Sequence, residues 1–132
     1  MKTFNLPYGK ETIEANIAEE HLAGVLISNL HKYKAEKSQE DLVRESLENP
    51  IGTPRLKDMV VGKEKIVIIS SDHTRPVPSK VIMPILLEEI REGNKNADIT
   101  ILISTGLHRG TTKDELVEKF GEDIVRNEKI II

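Results

Sequence analysis

The sequence predicts an α/β fold: a layered, Rossmann-like domain with a parallel sheet, preceded by an N-terminal β-hairpin and cut short at its last strand. Three observations carry this. First, Lys65 to Ser70 is a continuous apolar run bounded by polar residues, the mark of a strand buried on both faces, Ile99 to Ser104 reads as a second buried strand, and Lys129 to Ile132 as a third cut short. Second, the two segments between them have helical apolar spacing, and a strand-helix-strand alternation implies parallel pairing. Third, Ile, Leu and Val fill 38 of the 132 positions, against two Phe, two Tyr and no Trp. An aliphatic, β-branched core of that kind suits buried strands better than a helical bundle.

The elements follow in chain order. Thr3 to Leu6 and Glu11 to Ile17 flank Pro7-Tyr8-Gly9-Lys10, and Ile13, Ala15 and Ile17 alternate with polar residues. That period of two predicts a half-buried strand and, with the turn, a hairpin over residues 1–18. Glu19 to Lys37 has no clear period; a short connecting helix is expected there, with His21 and His31 exposed. A helical segment covers residues 38–60. Ser38 caps it, Leu42, Val43 and Leu47 form its apolar side, Asn49-Pro50 stops it, and Leu56 to Met59 adds a short helix. The remaining 64–132 form the β-α-β-α-β core. Ser79 is expected to cap a helix running through Arg91 with Val81, Ile82, Ile85, Leu86 and Ile90 on one side. Glu88, Glu89, Arg91 and Glu92 face mostly the other way, and Gly93 ends it. Pro84 sits awkwardly inside this helix. Thr112 and Glu115 make a capping box for a second helix that turns Leu116, Val117 and Phe120 inward. The chain stops on Ile130-Ile131-Ile132, a third strand that reads as part of a longer protein.

Composition excludes several functions. Nineteen basic and twenty-two acidic residues give a net charge of −3, with no basic block, so nucleic acid is not the expected partner. The absence of cysteine removes disulfides, thiolate metal sites and thiol nucleophiles. No signal-peptide core or membrane-length apolar run is present, and a cytoplasmic protein is expected.

Parallel strands share one direction, so the loops after Ser70 and Ser104 must open at the same edge of the sheet, where open α/β sheets bind ligands. These loops hold the polar residues: Asp72, His73, Thr74 and Arg75 in one, Thr105, Gly106, His108 and Arg109 in the other. One carboxylate, two imidazoles and two guanidinium groups therefore converge on one rim. Asp72 is either a loop-orienting carboxylate, or partner of Arg75, or a group that does chemistry. Arg75 suits a carboxylate or phosphate, and His108 can pass a proton either way near neutrality. His73 ranks below His108, and Arg109 is expected to face solvent. Neither a Gly-Lys-Ser/Thr phosphate loop nor a G-x-G-x-x-G turn follows either strand, and no metal-ligand spacing is present.

These loops also carry a resemblance. Asp72-His73-Thr74-Arg75-Pro76-Val77-Pro78-Ser79 and Thr105-Gly106-Leu107-His108-Arg109, with Glu115 to Val125, resemble the nickel-pincer-nucleotide lactate racemases. The likeness extends from Leu6-Pro7-Tyr8 through Ser46 to Gly52 and on to the last residue. It implies an isomerase that interconverts D- and L-lactate by hydride transfer to the cofactor, a nickel(II) pyridinium bisthiocarboxylate mononucleotide. Under it, His108 matches one of two acid/base histidines and Arg75 a residue near the substrate carboxylate. Asp72, His73, Thr74 and Arg75 match a cofactor-contacting loop, Asp72 through ribose hydroxyls. Family members are much longer. The lysine that anchors the cofactor, the nickel-ligating histidine and the second acid/base histidine are expected beyond residue 132, so no metal ligand is assigned here and this chain alone is expected to be inactive. The implied partners are a small 2-hydroxy acid, the remainder of the same chain and, transiently, cofactor-synthesis proteins. Two other readings stand beside it: a racemase or epimerase of another 2-hydroxy acid, and a non-catalytic module for a nucleotide-like ligand.

Overall fold

The computed structural model describes all residues from Met1 to Ile132, in two compact units, Met1–Ala35 and Glu36–Ile132. In the first, β1 (Lys2–Tyr8) pairs antiparallel with β2 (Glu11–Ile17). The expected turn is tighter than four residues. Tyr8 pairs with Glu11, which leaves Gly9-Lys10 as a two-residue loop, and Gly9 supplies the positive φ (62°) such a loop needs. The alternation puts Phe4, Leu6, Ala15 and Ile13 on one face, but that face is not buried: only Phe4 and Ala15 are partly covered. Two single 3₁₀ turns, Glu19–His21 and Asn29–Lys32, stand where a connecting helix was expected, and His21 and His31 are exposed.

In the second unit α1 (Gln39–Glu48) starts where Ser38 Oγ accepts the Asp41 amide at 3.0 Å, and α2 (Leu56–Met59) follows. The sheet then forms from β3 (Lys65–Ser71), β4 (Asp98–Ser104) and β5 (Lys129–Ile131), parallel throughout and in the order β3-β4-β5. The crossovers are α3 (Ser79–Gly93) and the pair α4 (Lys113–Phe120) and α5 (Glu122–Asn127). The α/β class and parallel sheet are thus as the sequence predicts, with α5 an addition.

Burial on both faces of the strands is not found. When strand order equals chain order, right-handed crossovers all return over the same face. Ile66, Ile68, Ile99, Ile101, Ile103 and Ile130 point to that face and pack with Met83, Leu87, Ile90, Leu116, Phe120 and Ile124. Val67, Ile69, Leu102 and Ile131 lie on the other face, uncovered.

Helix α3 differs from expectation in three ways. Its N-cap is Pro78, and Ser79 is a buried first-turn residue whose hydroxyl donates to the Val77 carbonyl. Glu89 is buried, because α2 packs there and Arg55 grips its carboxylate through two nitrogens at 3.1 and 2.8 Å. Gly93 does not have positive φ; it is the last helical residue, and a Cβ there would stand 1.9 Å from the Lys57 carbonyl oxygen. Space for α2, and not a left-handed cap, requires this glycine. Pro84 is accommodated on the exposed side, where the Lys80 carbonyl it leaves unpaired can face water.

Candidate active site

Ser71 pairs with Ser104 across the parallel ladder, so β3 and β4 release their loops side by side. A cleft of about 540 Å³ opens between them. Asp72 and Arg75 line it from the first loop; Thr105, Gly106, Leu107 and His108 line it from the second. The second loop folds back on itself because Gly106 takes a φ of 57° and the His108 amide donates to the Thr105 carbonyl at 2.9 Å. This reversal carries the His108 ring to Asp72.

Asp72 is nearly inaccessible, its side chain 2% exposed, and both its oxygens are occupied. Oδ1 accepts the Thr74 amide at 3.0 Å and the Thr74 hydroxyl at 2.7 Å; Oδ2 accepts His108 Nδ1–H at 2.5 Å. The Thr74 hydroxyl, then the His108 contact, hold the carboxyl well below the usual carboxylate range. An ionised carboxylate only accepts, so the proton on the imidazole belongs on Nδ1. That leaves Nε2 as the unprotonated nitrogen of the neutral ring, on a side chain 45% exposed. The arrangement is an oriented base with a buried orienting carboxylate.

Arg75 reaches the cleft and forms no ion pair, and its backbone carbonyl accepts Lys119 Nζ at 3.5 Å. The other rim cation is committed: Arg109, solvent-facing as expected, places its fork on Glu115 at 2.6 and 2.9 Å. His73 turns out of the cleft, with Nδ1 3.2 Å from Thr111 Oγ1 and Nε2 3.6 Å from Glu115 Oε1. The loops therefore bring Asp72, Thr74, Arg75 and His108 together and set His73 and Arg109 on a second cluster behind them. Lys119 was not foreseen. It is buried under the first loop and burial lowers its pKa; its place three residues after Leu116, on the buried side of α4, is the spacing that could have found it. A second cleft of about 460 Å³ over α4 and α5 is lined by exposed Lys113, Asp114, Glu122 and Arg126 and gathers no buried polar group. No three His, Asp or Glu side chains are grouped so as to hold a metal ion.

Residues 8–132 match the family model described as the lactate racemase N-terminal domain. The chain belongs to the lactate racemase N-terminal domain family. Over all 132 residues it is 52% identical to the lactate racemase of Thermoanaerobacterium thermosaccharolyticum and 51% identical to that of Lactiplantibacillus plantarum. It spans 31% of the length of each of these curated relatives. The solved lactate racemase apoprotein from T. thermosaccharolyticum superposes on 98% of the chain with a TM-score of 0.78 at 49% identity, the chain covering 30% of that structure. Both cleft loops lie inside the region matched by the family. No helix is long and apolar enough to cross a membrane.

Proposed function

We propose that this chain supplies one acid/base side, and the carboxylate anchor, of a racemase acting on a small 2-hydroxy acid, lactate first. The observation that carries the reading is the Asp72–His108 pair beside the unpaired Arg75 in one cleft. His108 Nε2 takes the proton from the C2 hydroxyl as that oxygen becomes a carbonyl and returns it when the alcohol re-forms. Asp72 steadies the imidazolium that exists between those events, a charge the buried carboxylate offsets directly. Arg75 holds the substrate carboxylate through a two-pronged contact and so keeps C2 in the cleft while first one face and then the other receives the hydride.

The cofactor is a proposal of the same kind. Two cleft residues support the organic part of a nickel-pincer nucleotide there: unpaired Arg75 for an anionic group and Thr105 for a hydroxyl contact. Nothing in this chain fits the nickel, since no ligand set is grouped for it. When bound, the group would take up and give back the C2 hydride. Asp72 is assigned first to His108, because its side chain is 2% exposed and Thr74 and His108 engage its two oxygens; Oδ2, with one partner, keeps a lone pair for a ribose hydroxyl.

The test is His108→Ala in the complete racemase polypeptide. We expect lactate racemisation to fall by about 10²–10⁴-fold in both directions, with cofactor absorbance retained. Near-normal turnover in either direction overturns the assignment and favours a domain that only binds.

A further inference from the structure

The residues next to the Asp72–His108 pair converge as well. His73, which follows Asp72, and Arg109, which follows His108, both point to one carboxylate, Glu115 at the third position of α4. Its Oε1 lies 2.6 Å from Arg109 Nη2 and 3.6 Å from His73 Nε2. Its Oε2 accepts Arg109 Nη1 at 2.9 Å and the Thr112 amide at 2.8 Å. Arg109 Nη1 also donates to the Gly110 carbonyl at 3.0 Å. Thr111, buried, meets the other nitrogen of His73 at 3.2 Å.

We propose that Glu115 is a positioning residue: it fixes the register of the two cleft loops and thereby holds His108 against Asp72. A helix cap alone needs only the contact to the Thr112 amide. The same carboxylate also takes the Arg109 fork, which pins the chain one residue beyond His108 to the rigid start of α4. The loop is fixed at its other end where Thr105 leaves β4, so the turn bearing His108 is held at both ends. Through His73 the same group reaches the first loop one residue from Asp72. Without it, the short His108–Asp72 contact depends on two loops joined only by that contact, by Thr74 and by the His73–Thr111 contact farther along the loop. A base that swings away from its carboxylate loses the defined Nδ1–H tautomer and the correct aim of Nε2, a loss of rate more than of binding.

This rests on the reading of His108 as the base, and the experiment separates the two. Glu115→Gln keeps an acceptor for the Thr112 amide but cannot receive the Arg109 fork as a carboxylate does. Imidazole ¹⁵N shifts of His108 are recorded for the parent, Glu115→Gln and Asp72→Asn, and kcat and KM are measured for the same variants in the complete racemase. The expected result is a mixed His108 tautomer and a kcat about tenfold lower in Glu115→Gln, with KM within about twofold. Arg109→Gln should act the same way, and the double variant should be no worse than Glu115→Gln alone, because the Arg109–Glu115 contact is lost in all three. If Asp72→Asn disturbs the tautomer but Glu115→Gln does not, the positioning role is overturned and the base reading stands. If neither disturbs it, the base reading itself fails. A Glu115→Gln variant that melts earlier yet keeps the parent tautomer and kcat has lost a stabilising ion pair only, which also overturns the proposal.

Discussion

Arg75 sits in the cleft with no carboxylate to neutralise it, whereas Arg109 is fully engaged by Glu115 at the start of α4. That asymmetry gives the two arginines different expected sensitivities. A guanidinium can grip both oxygens of a substrate carboxylate in one plane; an ammonium is a point charge without that geometry. Arg75→Lys should therefore raise the KM for lactate and lower kcat/KM by at least about tenfold, a change of about 1.4 kcal/mol, while the melting temperature stays with the parent. Kinetics indistinguishable from the parent would remove Arg75 from the site. The residue types that build the cleft were readable, since parallel strands oblige the Asp72 and His108 loops to meet. Where each side chain turns was not. Nothing in the order Asp72-His73 says which of the two faces the cleft; an Asx turn onto Thr74 decides it, by spending one Asp72 oxygen locally and aiming the other at His108.

At the scale of elements, β3 and β4 look alike in sequence and differ in surroundings. Ile101 of β4 is 0% exposed beneath α3 and α4, while Ile69 of β3, on the bare face, is 72% exposed. A continuous apolar run shows that both faces avoid charge, but not that both are covered in the chain at hand; coverage depends on which face the crossovers return over. Ile101→Ala should cost about 2–5 kcal/mol through lost burial and the cavity left behind. Ile69→Thr should stay within about 0.5 kcal/mol, as surface changes do. Urea unfolding of the two variants checks this, and an Ile69→Thr loss as large as that of Ile101→Ala would mean that the bare face is occupied. The same limit explains Glu89 and Gly93. Helical spacing put Glu89 on a polar side and Gly93 at a terminus, yet α2 lies across both, an arrangement that local pattern does not encode. Capping was more legible, because Ser38 with Asp41 and Thr112 with Glu115 act within one turn of chain.

Over the second unit as a whole, three carboxylates with depressed pKa values tie separate segments together. Asp72 is held low by Thr74 and His108, Glu115 by Arg109 and the Thr112 amide, and Glu89 by the Arg55 side chain against the cost of burial. Each joins parts of the chain distant in sequence or pins a functional loop, so their protonation should loosen the cleft along with the fold. The sign follows from linkage. Unfolded carboxylates titrate near about 4, and these folded ones titrate lower, so below that pH the unfolded chain binds more protons than the native one and stability rises with pH. The contribution is fully present above about pH 5 and is lost as pH falls through about 4 and below toward the folded values. The urea midpoint of the parent should thus be lower at pH 3 than at pH 7. Asp72→Asn and Glu115→Gln should each be less stable than the parent at pH 7 and lose less on acidification, since one linked proton is gone from each. A parent midpoint equal at the two pH values, or variants with the full acid loss, would show that these carboxylates are not what couples the loops to the fold.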